Sequence, residues 1–137
     1  MSGSMNQPAG PMAPKHAGLF KRISLTIIHV SDLRRAVRFY RDLLGLRLTA
    51  ETSQWAEFQI GDCRLALQGG ADPTLTIPHK AAGYMSFSLE VDDVVEAYEV
   101  LKAAGVEFVR PPAEHEFGML AVMRDPDSRD IMLFEPR

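Results

Sequence analysis

Cysteine is nearly absent: Cys63 is the single one among 137 residues. No intrachain disulfide can form, and a reducing cytoplasm is the expected setting. No apolar run approaches the roughly 20 residues that a helix needs to cross a bilayer, so no membrane partner is expected. An excess of positive charge is also missing. Fifteen Lys and Arg stand against 18 Asp and Glu, a formal charge of −3, which gives no electrostatic case for nucleic acid. Hydrophobic residues at 46% and charged residues at 24% are the ordinary balance of a soluble globular domain. The length suffices for one domain with a sizeable core or for two small intimate modules. Residues 1–18, rich in Pro, Gly, Ala and Met, lack the basic start and apolar stretch of a signal peptide. Residues 1–21 are expected to form a flexible tail outside the fold.

What is present is an internal repeat. Val30-Ser-Asp-Leu-Arg-Arg-Ala36, closed by Leu44-Gly45-Leu46, returns about sixty residues later as Val91-Asp-Asp-Val-Val-Glu-Ala97, closed by Gly105-Val106. Val30, Asp32 and Ala36 answer to Val91, Asp93 and Ala97, and Gly45 answers to Gly105 after a slip of one residue. A repeat of this kind means two copies of one supersecondary unit, with a shared site between them.

Each unit reads as strand, capped helix and three strands. Ile23–Val30 is β-branched and predicts a strand, and the Asp32 carboxylate caps the following helix. Leu33, Ala36, Val37, Tyr40, Leu43 and Leu44 then share one helical face, while Arg34, Arg38 and Arg41 form a solvated one. Leu46–Glu51, Trp55–Ile60 and Cys63–Gln68 predict three further strands, the last two joined by a Gly61-Asp62 turn. Residues 69–83, with two prolines and little periodicity, predict the connector.

In the second unit Tyr84–Val91 predicts a strand, and Asp92 or Asp93 caps a helix with Val94, Ala97, Tyr98, Leu101 and Ala104 buried. Glu96, Glu99 and Lys102 occupy its exposed face. Val106–Arg110 predicts a strand stopped by Pro111-Pro112. Phe117–Met123 and Ile131–Phe134 predict a final hairpin around the turn Asp125-Pro-Asp-Ser128. The expected class is α+β: two βαβββ modules, residues 22–68 and 84–137.

These residues carry a resemblance. Val30-Ser-Asp-Leu with Ala36, Phe39-Tyr40 and Leu44-Gly-Leu46, then Val91-Asp-Asp-Val, Gly105-Val106 and Asp125-Pro-Asp-Ser-Arg-Asp-Ile-Met-Leu-Phe-Glu-Pro136, resemble the vicinal-oxygen-chelate superfamily. That group includes glyoxalase I, extradiol dioxygenases and fosfomycin- and bleomycin-resistance proteins. The resemblance covers residues 23–136 and is specific for fold rather than for one activity. It implies that the mixed sheets of the two modules curl around a central cavity, and it implies four metal-donor positions, on the first and last strand of each module. Here they fall on Leu25, Ala66, Ser86 and Met132. None supplies the imidazole, carboxylate or thiolate that a divalent metal needs, so no metal and no cofactor is expected. Ser128-Arg129 replaces the Gly-Asn that commonly ends the last turn, a departure expected to affect local backbone geometry alone.

Strand alternation extends the cavity-facing set. With Leu25 go Ile27 and His29; with Ser86 go Ser88 and Glu90. Trp55, Glu57, Gln59, Arg64 and Gln68 join from the middle strands, and Met132 and Phe134 from the last. A mostly apolar, aromatic surface with sparse fixed polar groups suits a small organic ligand, and Trp55 can stack a planar ring. The functional expectation is a metal-free protein binding an aromatic or amphipathic molecule, akin to the drug-binding members, and a homodimer. The alternative is a lyase, isomerase or dioxygenase-like enzyme of the same superfamily, using either a non-standard metal site or acid–base chemistry, with His29 or Glu90 as general base and Arg64 stabilising an oxyanion. For His29 and Glu90 the plainer readings are a strand-end ion-pair partner and a solvated carboxylate.

Overall fold

A computed structural model describes residues 18–19, 21–69 and 87–137. The expected connector from residue 70 onward, the first part of the Tyr84–Val91 strand including Ser86, and most of the expected N-terminal tail lie outside the described residues. Strand β1 (Thr26–His29) leads into helix α1 (Leu33–Val37), a π-helical segment (Arg38–Leu43), and strands β2 (Arg47–Glu51), β3 (Trp55–Ile60) and β4 (Cys63–Gln68). The second half repeats the order: β5 (Phe87–Glu90), α2 (Val94–Ala103), β6 (Glu107–His115), β7 (Gly118–Arg124) and β8 (Asp130–Pro136).

The two sheets have the same topology, β1-β4-β3-β2 and β5-β8-β7-β6, with one parallel pair in each. They are open sheets and do not close into a barrel. His29 lies opposite Gln68 as Glu90 lies opposite Phe134, so the repeat read in the sequence is also a repeat of register. Both caps form as expected: Asp32 accepts from the Arg35 amide at 3.1 Å and Asp93 from the Glu96 amide at 3.0 Å.

The one-residue slip has a structural cause. Gly45 falls thirteen residues after its cap and Gly105 twelve after its own, and the first helix absorbs the extra residue by widening. The Leu44 amide donates to the Phe39 carbonyl at 3.0 Å, five residues back, and Leu46 donates to Tyr40. The wider turn rotates the buried face. Phe39 becomes buried and Leu43 turns outward, 39% exposed, which corrects the uniform stripe expected across the helix. On α2, Ala104 is the exposed C-cap rather than part of the buried stripe.

Strand boundaries need three corrections. β1 starts at Thr26, paired with Leu65; Ile23 lies ahead of the strand, 86% exposed. β6 runs through Pro111 and Pro112 instead of stopping at them. It is an edge strand with register shifts between Phe108 and Ala113, where missing amides leave no ladder partner wanting. β7 begins at Gly118, leaving Phe117 outside it and exposed.

Alternation then builds the interior. Ile28, Ala56, Phe58, Leu65, Leu67, Met123, Ile131 and Leu133 point to the helices and join Tyr40 and Val94 in one cluster spanning both modules.

Candidate functional site

The faces opposite the helices carry the residues that the sequence placed in a cavity. On the first sheet, Trp55, Gln68 and His29 are direct cross-strand neighbours, and Glu57, Ala66 and Ile27 form the adjacent row. Ala66 and Gln68 are buried, whereas Ile27 is 38% exposed. On the second sheet Ser88 lies beside Met132 and Glu90 beside Phe134. Leu25 precedes β1 and is half-buried.

Three of these side chains form a linked wall. The Trp55 indole Nε1–H donates to Glu57 Oε2 at 2.8 Å, and Arg64 Nη1 donates to Glu57 Oε1 at 3.1 Å. Glu57 therefore spends both oxygens holding its neighbours. The indole is pinned through its polar edge, which leaves its ring faces for packing or stacking.

Arg64 also borders a cleft of about 470 Å³ that opens between the two modules. One side is the start of β1 with the β3–β4 turn; the other is β5. Ser88 and Glu90 reach it from the second module, so the structure brings Arg64, Ser88 and Glu90 of the expected set to one space. Trp55 and Glu57 connect to that space through Arg64, whereas His29, Gln68, Met132 and Phe134 are not among the described lining residues. The cleft also takes in Thr26, Leu65, Phe87 and Leu89, of which Leu65 belongs to the core and Phe87 and Leu89 pack against it. Sequence reasoning did not place Thr26, Phe87 and Leu89 there, because what an edge strand meets depends on the neighbouring module, which periodicity within a strand does not report.

A second feature escaped the sequence. Arg129 Nη1 meets Asp125 Oδ2 at 2.7 Å, with side chains 8% and 0% exposed, and its Nη2 donates to the His29 carbonyl at 2.7 Å. The Tyr40 hydroxyl donates to the same Asp125 oxygen at 2.8 Å. Burial, reinforced by the Asp125 carboxylate, pushes the Tyr40 phenol far above its ordinary range. Beside it the Ser31 amide and hydroxyl both donate to Asp127. The last turn of the second module is thus fastened to the first. Ser128 does take a left-handed backbone, φ 62°, as a replaced glycine must. Arg129 goes beyond the local effect expected of it, since it reaches the end of β1. The signal was a charged residue directly after a turn rich in carboxylates.

The side chains present do not fit the metal that the resemblance implies. Leu25 and Ala66 are hydrocarbon and Met132 is a thioether, while Ser86 lies outside the described residues. Among the described residues no group of three or more His, Cys, Asp or Glu could hold an ion. His29 Nε2 is buried and makes no hydrogen bond.

Comparison with known proteins agrees with this fold. The chain is 29% identical over 121 residues to a lactoylglutathione lyase of Haemophilus influenzae, covering 80% of this chain and 89% of that protein. TnmS3, an antibiotic binding protein from a Streptomyces species, superposes with a TM-score of 0.72 at 26% identity, over 86% of this chain and 98% of its own. A lactoylglutathione lyase from Agrobacterium tumefaciens superposes with a TM-score of 0.68 at 26% identity, over 83% and 92% of the two chains. Residues 22–133 match the Glyoxalase/Bleomycin resistance protein/Dioxygenase superfamily. With two βαβββ halves and a matching sequence across most of its length, the chain belongs to that superfamily.

Proposed function

We propose that this protein binds a small aromatic or amphipathic organic molecule without a metal, in the space between its two modules. The observation that carries the reading is the replacement of donors by Leu25, Ala66 and Met132, beside a tryptophan fixed by Glu57. Apolar and aromatic surface supplies affinity, and a few anchored polar groups supply orientation. The likeness to TnmS3, described as an antibiotic binding protein, favours the same reading. The proposal includes a cytoplasmic homodimer, with the exposed basic face of Arg34, Arg38 and Arg41 suited to the acidic face of Glu96 and Glu99 on a partner copy; light scattering at micromolar concentration tests its mass.

Thermal denaturation against a broad panel of organic compounds tests the binding, repeated with chelator. A ligand at one hundred times its dissociation constant adds about 2.7 kcal/mol of stability. The shift is expected to survive chelator unchanged. A panel without any shift, or stoichiometric metal in the purified protein, overturns the reading.

A second reading, an enzyme, is favoured by the unpartnered His29 Nε2 and by the likeness to lyases. It assigns general-base chemistry to His29 or Glu90, since Glu57 has both oxygens engaged. Turnover that survives chelator and collapses in His29→Ala or Glu90→Gln would establish it; equal rates in both variants remove it.

A further inference from the structure

We infer that the outer face of the first helix is a second ligand site, which takes an organic phosphate monoester with a short apolar tail through Arg34, Arg38 and Leu43. It shares no described lining residue with the cleft between the modules, so the inference goes beyond the binding function proposed above. Arg38 borders two hollows. One, of about 280 Å³, is lined by Arg34, Val37, Arg38 and Arg41, with Glu51 as the one carboxylate among its described lining residues. The other, of about 370 Å³ and mostly apolar, is lined by Phe39, Leu43 and Pro126 together with Arg35, Arg38 and Asp42.

Charge defines the head group. Arg41 is held by Asp42, Nε to Oδ1 at 2.8 Å, and Arg35 by Asp127 at 3.5 Å. The exposed side chains of Arg34 and Arg38 make no ion pair or hydrogen bond among the described residues. Four residues apart they are neighbours on the helix surface, where like charges repel. An anion held by both relieves that repulsion, and guanidinium forks pair well with phosphate oxygens. Glu51 offsets part of the positive field, which favours a head of nearly two negative charges over a carboxylate. The π-helical segment supplies the tail's contact. Its extra residue turns Leu43 outward, 39% exposed, beside Phe39 and Pro126. Wide turns of this kind recur at functional sites. The matching helix of the second module is plain α-helix with Glu96 and Glu99 exposed, so the feature belongs to one half of the repeat.

Hexyl phosphate tests this by calorimetry on the full chain at low ionic strength. Ethyl phosphate, hexanoate and hexyltrimethylammonium are its comparisons, and vesicles containing phosphatidic acid offer the same head group on a lipid. Hexyl phosphate is expected to bind at least about tenfold more tightly than ethyl phosphate, since four extra methylenes half-removed from water suffice for that. It should also bind more tightly than hexanoate, and the cation should not bind. Arg34→Gln and Arg38→Gln should each weaken hexyl phosphate about tenfold, the lower end for a hydrogen bond to a charged group. Arg110→Gln, which removes the same charge from an exposed position on β6, should change it less than about twofold. Leu43→Ala should weaken hexyl phosphate about threefold and leave ethyl phosphate unchanged. Cooperative melting of each variant confirms that it is folded.

Equal affinity for ethyl and hexyl phosphate, equal affinity for the cation, or Arg34→Gln and Arg38→Gln variants that behave like Arg110→Gln overturn the inference. So does retention on vesicles without binding of hexyl phosphate, which makes the face a membrane contact. Binding of hexyl phosphate without retention on vesicles, the expected result, assigns the phosphate to a free molecule rather than a lipid. In the proposed homodimer the same arginines meet Glu96 and Glu99 of a partner copy, so hexyl phosphate should lower the mass seen by light scattering. Binding at an unchanged mass leaves the phosphate site standing and removes that contact. Failure of the phosphate site leaves the proposed function of the cleft untouched, because none of the substituted residues lines it.

Discussion

Replacing Arg129 by Met should loosen the joint between the modules, and the structure sets the size of the effect. The guanidinium contacts a carboxylate whose side chain is 0% exposed, so its removal leaves Asp125 charged and buried. Breaking such a pair from one side costs roughly 3–5 kcal/mol. Asp125 keeps other donors here: Tyr40 on Oδ2 at 2.8 Å and the amides of Asp127 and Arg129 on Oδ1, each at 2.9 Å. These hold the expected loss to about 3 kcal/mol, the lower end. The His29 carbonyl also loses its donor. Tyr40→Phe, which removes a hydrogen bond to a charged acceptor, should cost about 1.5–3 kcal/mol. Both residues act on the same oxygen, so the double variant should depart from additivity by about 1 kcal/mol. Urea unfolding followed by circular dichroism and by Trp55 fluorescence measures all three. Trp55 lies in the first module and circular dichroism reports both, so a loosened joint should also separate the two transitions. A loss below about 1 kcal/mol in Arg129→Met, with coincident transitions and strict additivity, would refute the account of a buried joint.

Further outcomes follow from single sites. Tyr40 titrates above its ordinary value of 10.0 because it is buried beside Asp125. Its contribution is complete below about pH 10; above that the unfolded chain ionises first, and stability falls by up to about 1.4 kcal/mol per pH unit. Tyr40→Phe should therefore show a shallower alkaline decline than the parent in denaturation curves from pH 9 to 12, and parallel declines would count against the buried phenol. At Gly69 an added Cβ would stand 2.6 Å from Leu33 Cβ, so Gly69→Ala should cost about 1–3 kcal/mol through overpacking, read in the same urea curves. Asp93→Ala removes the cap on the Glu96 amide and should cost about 1 kcal/mol, with Asp93→Asn recovering most of it.

Much of the fold was legible because it is local and stated twice. Alternation in Trp55–Ile60 and Cys63–Gln68, two aspartate caps and a glycine stop after each helix are short-range signals, and each half corroborates the other. The misreadings share a cause. Leu43 looked buried because a helix was assumed to keep its period; the extra residue before Gly45 could have warned of a wider turn, and its effect on facing emerged only in the backbone. Pro111 and Pro112 looked like a stop because a proline's meaning depends on whether the strand lies at an edge, which topology decides.

The site divides along the same line. Trp55, Glu57 and Arg64 could be placed on one face by counting in twos, since they belong to adjacent strands of one hairpin. That Glu57 would be spent on its two neighbours, and so be a poor base, required the rotamers. Contacts between modules were beyond reach, because no period connects His29 to Arg129 across a hundred residues. Yet the module joint bears on the site. Arg129 fastens the end of β1, and the start of β1 borders the cleft with Arg64 and Glu90. A displaced β1 would move Thr26 and so reshape one wall of the cleft. Variation at Arg129 should therefore weaken the ligand-induced thermal shift as well as stability, whereas Asp93→Ala, which acts on the α2 cap, should lower stability alone.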